Sequence, residues 1–184
     1  MTTVLFIHSA GRQGPGEGSS ALVSGLRAVL PSGVTLLSPL MPQPDAPEAQ
    51  PWRNAIAAEM QAIEGDFILL GHSLGGSSLL QVLARSGLPD RLLGVVTLAA
   101  PFWGAPGWAF DDFALPGDAG EKLRGLRHLL ILRGEDDDVV APDHPERYKA
   151  VLPQAEMRIL PGVDHEAANA APAVLAALGA ITAL

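Results

Sequence analysis

The 184-residue chain contains no cysteine. Disulfides, thiolate-bound metals and a cysteine nucleophile are therefore excluded together. Basic residues are scarce: 12 Lys and Arg stand against 20 Asp and Glu, for a formal charge of −8. No basic run offsets this deficit, so neither nucleic acid nor an anionic membrane surface is an expected partner. Long apolar runs are missing as well. Val4–Ile7 is short and has no basic residue before it, which fits neither a signal peptide nor a membrane span. The Ala-rich stretch from Ala167 is interrupted by Pro172 and Gly179. A cytoplasmic location is the expectation. Aromatic residues make up only 5% of the chain, so a place where they cluster carries information.

What is present reads as globular. Hydrophobic residues account for 48% and charged residues for 17%. The length suits one domain over residues 1–184, without a dividing linker, as a monomer or small homo-oligomer. Short apolar runs at Val4–His8, Val34–Leu37, Phe67–Leu70, Leu92–Ala99, Leu126–Leu132 and Glu156–Leu160 predict strands. Helical spacing or caps predict helices over 20–30, 52–63, 74–85, 144–152 and 166–184, the last with a kink near Pro172. The five prolines between Pro39 and Pro51 predict irregular structure there. Alternation of this kind implies an α/β three-layer sandwich: a mostly parallel central sheet with helices on both faces. In such sheets ligands bind beyond the carboxyl ends of the strands. His8-Ser9, His72-Ser73, Asp136 to Asp138 and His165 all sit at predicted strand ends.

The segment Gly71-His72-Ser73-Leu74-Gly75 matches G-x-S-x-G between a predicted strand and a predicted helix. That motif makes a sharp turn on which the Ser hydroxyl projects above the sheet. Glycines let strand and helix approach without Cβ clashes. A serine hydroxyl needs a base, usually a His oriented by a carboxylate, and on this kind of elbow the acid and then the His follow the Ser. An acidic turn after the Leu126–Leu132 strand supplies the acid: Asp137, with Asp136 as the alternative. Three adjacent carboxylates repel one another, so one is expected to be tucked in and paired and the others solvated. His165, on the loop after the last strand, is the candidate base. His72 flanks the Ser on a turn where neighbouring side chains diverge; His128 begins a strand; His144 lies between prolines at a helix start. The Leu74 N–H and one amide of the loop after the first strand, Ala10 or else Ser9, are the expected oxyanion donors. The Gly-rich loop from Gly11 to Gly18 fits neither G-x-G-x-x-G nor Walker A.

With these residues in view, the chain resembles the small, lidless serine hydrolases of the α/β-hydrolase superfamily, the group of retinoblastoma-binding protein 9 and the YdeN-like proteins. Met41-Pro42 with Pro44 and Trp52, the elbow, Glu135-Asp136-Asp137 with Val139-Val140, and Gly162 before His165 carry the resemblance. It implies the α/β-hydrolase fold without a lid domain and a Ser73-Asp137-His165 triad. It further implies carboxylesterase-like cleavage of small esters through an acyl-enzyme, with no cofactor and no metal. Ser9, where the group often has Gly, and Asp164 beside the base are departures.

Phe102, Trp103, Trp108, Phe110 and Phe113 crowd the connection after Ala100. They either line an apolar pocket or anchor an irregular loop. His8, Ser9, Phe102, Trp103 and Trp108 are the pocket candidates. The expected partner is a small-molecule ester. Thioester or other acyl-transfer chemistry on the same triad, and a binding protein that merely keeps the fold, are the alternatives.

Overall fold

The computed structural model describes residues 2–182. Six strands form one sheet in the order β2-β1-β3-β4-β5-β6, every neighbouring pair parallel. They are β1 (Thr2–Ile7), β2 (Val34–Leu37), β3 (Phe67–His72), β4 (Leu92–Leu98), β5 (Leu129–Gly134) and β6 (Glu156–Leu160). The helices are α1 (Ser20–Val29), α2 (Ala49–Ala62), α3 (Leu74–Ser86), α4 (Ala119–Lys122), α5 (His144–Val151) and α6 (Ala171–Thr182), with a 3₁₀ turn at Asp111–Phe113.

The central strands read as continuous apolar runs because both faces of the sheet are covered. Alternate residues feed two separate cores. Leu5, Phe67, Leu69 and Ile131 pack with Trp52 and Ile56 of α2, Leu79 and Leu83 of α3, and Tyr148 of α5. Their neighbours Val4, Ile68, Leu70 and Leu132 pack with Leu22 and Leu26 of α1 and Val174 and Leu178 of α6. A three-layer sandwich with the α/β-hydrolase arrangement results. Strand order reverses at β1, which is flanked by β2 on one side and β3 on the other. The crevice beyond the carboxyl ends of β1 and β3 is thus the switch point where such sheets bind ligands.

Several element bounds differ from the sequence reading. Helix α2 begins at Ala49, three residues before Trp52, because Pro51 falls in the first turn, where no N–H is required. Strand β5 begins at Leu129: the Leu126 amide is committed to the Leu123 carbonyl in the turn that ends α4. Pro172 starts α6 instead of kinking it, and residues 166–170 precede the helix. The last two positions of the expected terminal helix, 183 and 184, lie outside the described residues. The connection after Ala100 contains the 3₁₀ turn and α4 rather than loop alone. Among the described residues no helix is long and apolar enough to cross a membrane.

Candidate active site

Ser73 joins β3 to α3 with φ 50° and ψ −122°. A positive φ at a non-glycine residue stores on the order of 1–3 kcal/mol of strain and persists only where its surroundings enforce it. Here they do. The Ser73 amide donates to the Leu98 carbonyl at 2.8 Å, and its own carbonyl accepts from the Gly76 amide at 2.9 Å. A Cβ on Gly71 would lie 2.6 Å from the Gly76 Cα, and one on Gly75 would lie 2.5 Å from the His8 carbonyl oxygen. Strand and helix therefore close on each other only because both positions are glycine. The Gly75 contact also seats the start of α3 directly against the end of β1.

His165 Nε2 stands 3.2 Å from Ser73 Oγ, and His165 Nδ1 lies 3.1 Å from both oxygens of Asp137. With Nδ1–H donated to the carboxylate, Nε2 is left to accept the serine proton. Of the three successive aspartates only Asp137 is buried; Asp136 and Asp138 face solvent. Asp137 Oδ1 also accepts the amides of Val139 and Val140 at 3.0 and 2.9 Å. Burial is the largest influence on this carboxyl and pushes it up. The His165 hydrogen bond, the two amides and the charge of the imidazolium together outweigh it, so its pKa lies below the ordinary carboxylate value.

The acid turn and the base loop are joined through backbone. Glu135 and Asp136 amides donate to the Leu160 and Val163 carbonyls at 2.9 and 3.0 Å. Arg133, itself buried, donates to the carbonyls of Gly134 and Asp137 at 2.7 and 3.0 Å, fixing the turn from beneath. Asp164, beside the base, turns away and accepts the Ala167 amide at 3.0 Å. Leu74 and Ala10 line the same cavity as Ser73, and among the described residues neither backbone amide donates to a protein acceptor. Leu74 is the first residue of α3, where the helix dipole adds positive potential.

His72 diverges from Ser73 and is fully buried. Its Nε2–H donates to the His165 carbonyl at 2.8 Å, and its Nδ1 accepts from Ser19 Oγ at 2.9 Å. Ser19 Oγ in turn accepts the Ser9 amide at 3.0 Å. Sequence reasoning missed these ties because they span 53 and 93 residues. Burial, foremost, and the neighbouring His165 depress the His72 pKa to about 4.

A cavity of about 700 Å³ opens above Ser73. Trp103 anchors its wall, meeting Trp108 and Phe110 edge-on with ring centroids 5.2 and 5.5 Å away, and tilting against Phe113 at 6.1 Å. The Trp103 indole donates to Ser77 Oγ at 2.9 Å, which ties the wall to α3. Ser9, Trp103 and Trp108 border the cavity. His8 and Phe102 do not. The His8 ring packs edge-on against Phe6 at 5.1 Å and opens on a separate depression beside α1. Phe102 points the other way from Trp103, against Tyr148 at 5.0 Å, while its amide donates to His144 Nδ1 at 2.7 Å. Phe110, Phe113, Val139 and three carboxylates, Asp45, Glu48 and Glu166, also line the cavity. Among the described residues no three His, Asp or Glu side chains converge as metal ligands would.

Residues 38–169 match the family described as serine hydrolase. A pyrethroid hydrolase of Sphingobium wenxiniae is 38% identical over 81 residues, 44% of this chain. The match spans only 27% of that relative's length. Among solved structures, the ydeN gene product of B. subtilis superposes with a TM-score of 0.82 at 18% identity, covering all of both chains. Est1E from Butyrivibrio proteoclasticus gives 0.70 at 15% identity over 96% of this chain and 84% of that one. The pyrethroid hydrolase PytH gives 0.68 at 19% identity over 100% and 99%. These structural likenesses speak for the fold.

The buried neutral His72 makes a pH prediction. Between pH 6.5 and 4 the unfolded chain binds a proton that folded His72 refuses, so stability rises with pH across that window and is fully present above it. A shift of this size corresponds to about 3 kcal/mol. Urea unfolding at pH 7, 5.5 and 4.5 should show stability falling with acidity, with a shallower slope in His72→Asn. Equal slopes in the two proteins would contradict the assignment.

Proposed function

We propose a function on one premise: the chain belongs to the serine hydrolase family. It cleaves small carboxylic esters through an acyl-enzyme on Ser73. One observation carries this reading. A strained serine lies 3.2 Å from an imidazole whose far nitrogen is held by a buried carboxylate, on the floor of an aromatic cavity.

The steps follow from the geometry. Ser73 Oγ attacks the ester carbonyl as His165 Nε2 takes its proton, and Asp137 holds the imidazole in the required tautomer and steadies its positive charge. The unoccupied Leu74 and Ala10 amides receive the developing oxyanion, at the end of a helix whose dipole favours it. His165 then protonates the departing alcohol. A water, deprotonated by the same nitrogen, attacks the acyl-enzyme and releases the acid. This chemistry needs no metal and no cofactor. The wall of Trp103, Trp108 and Phe113 suits an apolar acyl or alcohol group. The relatives named as pyrethroid hydrolases point the same way. Free Leu74 and Ala10 amides and an intact Ser-His contact favour turnover over simple binding.

Steady-state hydrolysis of p-nitrophenyl butyrate tests this reading. Ser73→Ala and His165→Ala should each lower kcat by about 10⁴-fold or more, and Asp137→Asn by a comparable factor, since it leaves the wrong tautomer at His165. Undiminished turnover by folded Ser73→Ala would overturn it.

A further inference from the structure

We infer that the mouth of the cavity excludes polyanionic substrates, so that neutral oxygen esters and small neutral thioesters enter whereas thioesters of coenzyme A do not. The inference rests on the ester-hydrolase reading of the Ser73 site and narrows it. The charged side chains on the cavity lining, His aside, are Asp45, Glu48 and Glu166; no Lys or Arg is among them. All three carboxylates are exposed, and among the described residues none has an ion-pair partner. They arrive from different parts of the chain, the Pro-rich loop, its junction with α2, and the residue after His165, yet they face one opening. The rest of the lining, His72 and His165 aside, is uncharged, with Trp103, Trp108, Phe110 and Phe113 among it. Clefts lined by one sign of charge focus the field on an approaching ligand, and the chain's charge of −8 adds to it.

An acyl-coenzyme A must place its thioester at Ser73 while its phosphates wait at the mouth. Phosphate recognition calls for Arg, Lys or a cluster of free amides. Here the phosphates would meet carboxylates instead. The chemistry at Ser73 is otherwise the same for either thioester. The Oγ–acyl bond forms, the C–S bond breaks, the thiol leaves with the proton from His165, and water cleaves the acyl-enzyme.

Butyryl-coenzyme A and butyryl-N-acetylcysteamine share the reacting bond and differ in the phosphorylated portion, which makes them the test pair. At low ionic strength kcat/KM should favour the N-acetylcysteamine thioester by at least about 100-fold. The ratio should shrink as salt screens the mouth. In Asp45→Asn/Glu48→Gln, which spares the neighbour of His165, the ratio should fall at least about tenfold. Equal turnover of the two in wild type, or a ratio insensitive to both salt and the double variant, would overturn the inference while leaving the esterase reading intact. Failure to hydrolyse either thioester and p-nitrophenyl butyrate as well would overturn both.

The structure also assigns His72 a positioning role, on independent grounds. Its side chain holds the backbone of the base loop at one end and, through Ser19, the backbone of the loop that carries Ala10 at the other. The chain of bonds goes on. Gln13 Nε2 donates to the Ser9 carbonyl at 3.0 Å, and Gln13 Oε1 accepts the Met41 amide at 2.8 Å. The loops bearing the base, the second oxyanion donor and the Pro-rich edge of the cavity are thereby registered to one another through one imidazole. His72 touches no reacting atom; it sets the distance between groups that do. Errors of about 1 Å in such a constellation cost on the order of 100-fold in rate.

Ser19→Ala cuts one arm of this link, and His72→Gln keeps the bond to His165 while cutting the arm to Ser19. Each should lower kcat about tenfold with KM within twofold. Each should also weaken a boronic acid transition-state analogue in step with kcat/KM while leaving affinity for the butyrate product unchanged. Both must be assayed well below their melting temperatures. Affinity for the boronic acid that stays at the wild-type value would overturn the assignment, as would full kcat in folded Ser19→Ala.

Discussion

The turn at Ser73 is the constraint on which the remainder of this structure depends. A serine with φ 50° cannot hold that conformation alone. It is wedged between β3 and α3, and the wedge closes only because Gly71 and Gly75 present no Cβ. Closing it has two effects at once. The hydroxyl is lifted above the sheet, and the first turn of α3 is pressed against the end of β1, bringing the Leu74 amide and the Ala10 loop to the same opening. Strain at Ser73 and the seating of α3 against β1 are one feature of the backbone.

Around that turn, three loops that are distant in sequence are tied by hydrogen bonds rather than by a lid. The acid turn is held from below by Arg133 and from the side by the Leu160 and Val163 carbonyls. The base loop leans on that turn and on His72. The loop of Ser9 and Ala10 is reached through Ser19. Each bond contributes only about 0.5–1.5 kcal/mol net, but together they limit how far His165 can drift from Ser73. The aromatic wall is fixed separately, by Trp103 on Ser77 and by Tyr148 Oη, which donates to the Pro101 carbonyl at 2.6 Å.

Much of this was legible in the sequence because its signals are local. The elbow is a contiguous motif with a strand before it and a helix after it. The strand-helix alternation fixes which loops share a rim, and so Ser73, Asp137 and His165 could be named together. Asp137 was preferred to Asp136 by its place between Gly134 and Val139, and of the three aspartates it is the buried one. His8 opens on the α1 side and Phe102 packs on Tyr148 of α5, contacts with distant helices that no local pattern shows. The His72 link and the carboxylates at the mouth could not be read at all. Both arise from segments docked across the switch point, where sequence separation exceeds any local pattern.

The proposed mechanism makes Ser73, alone among the hydroxyls of the chain, a nucleophile. Intact-protein mass spectrometry after treatment with a fluorophosphonate measures that directly. The account predicts one adduct per chain, located on Ser73 by peptide mapping, and none in Ser73→Ala. Unlabelled wild-type protein that is folded, or an adduct on any other residue, would contradict it.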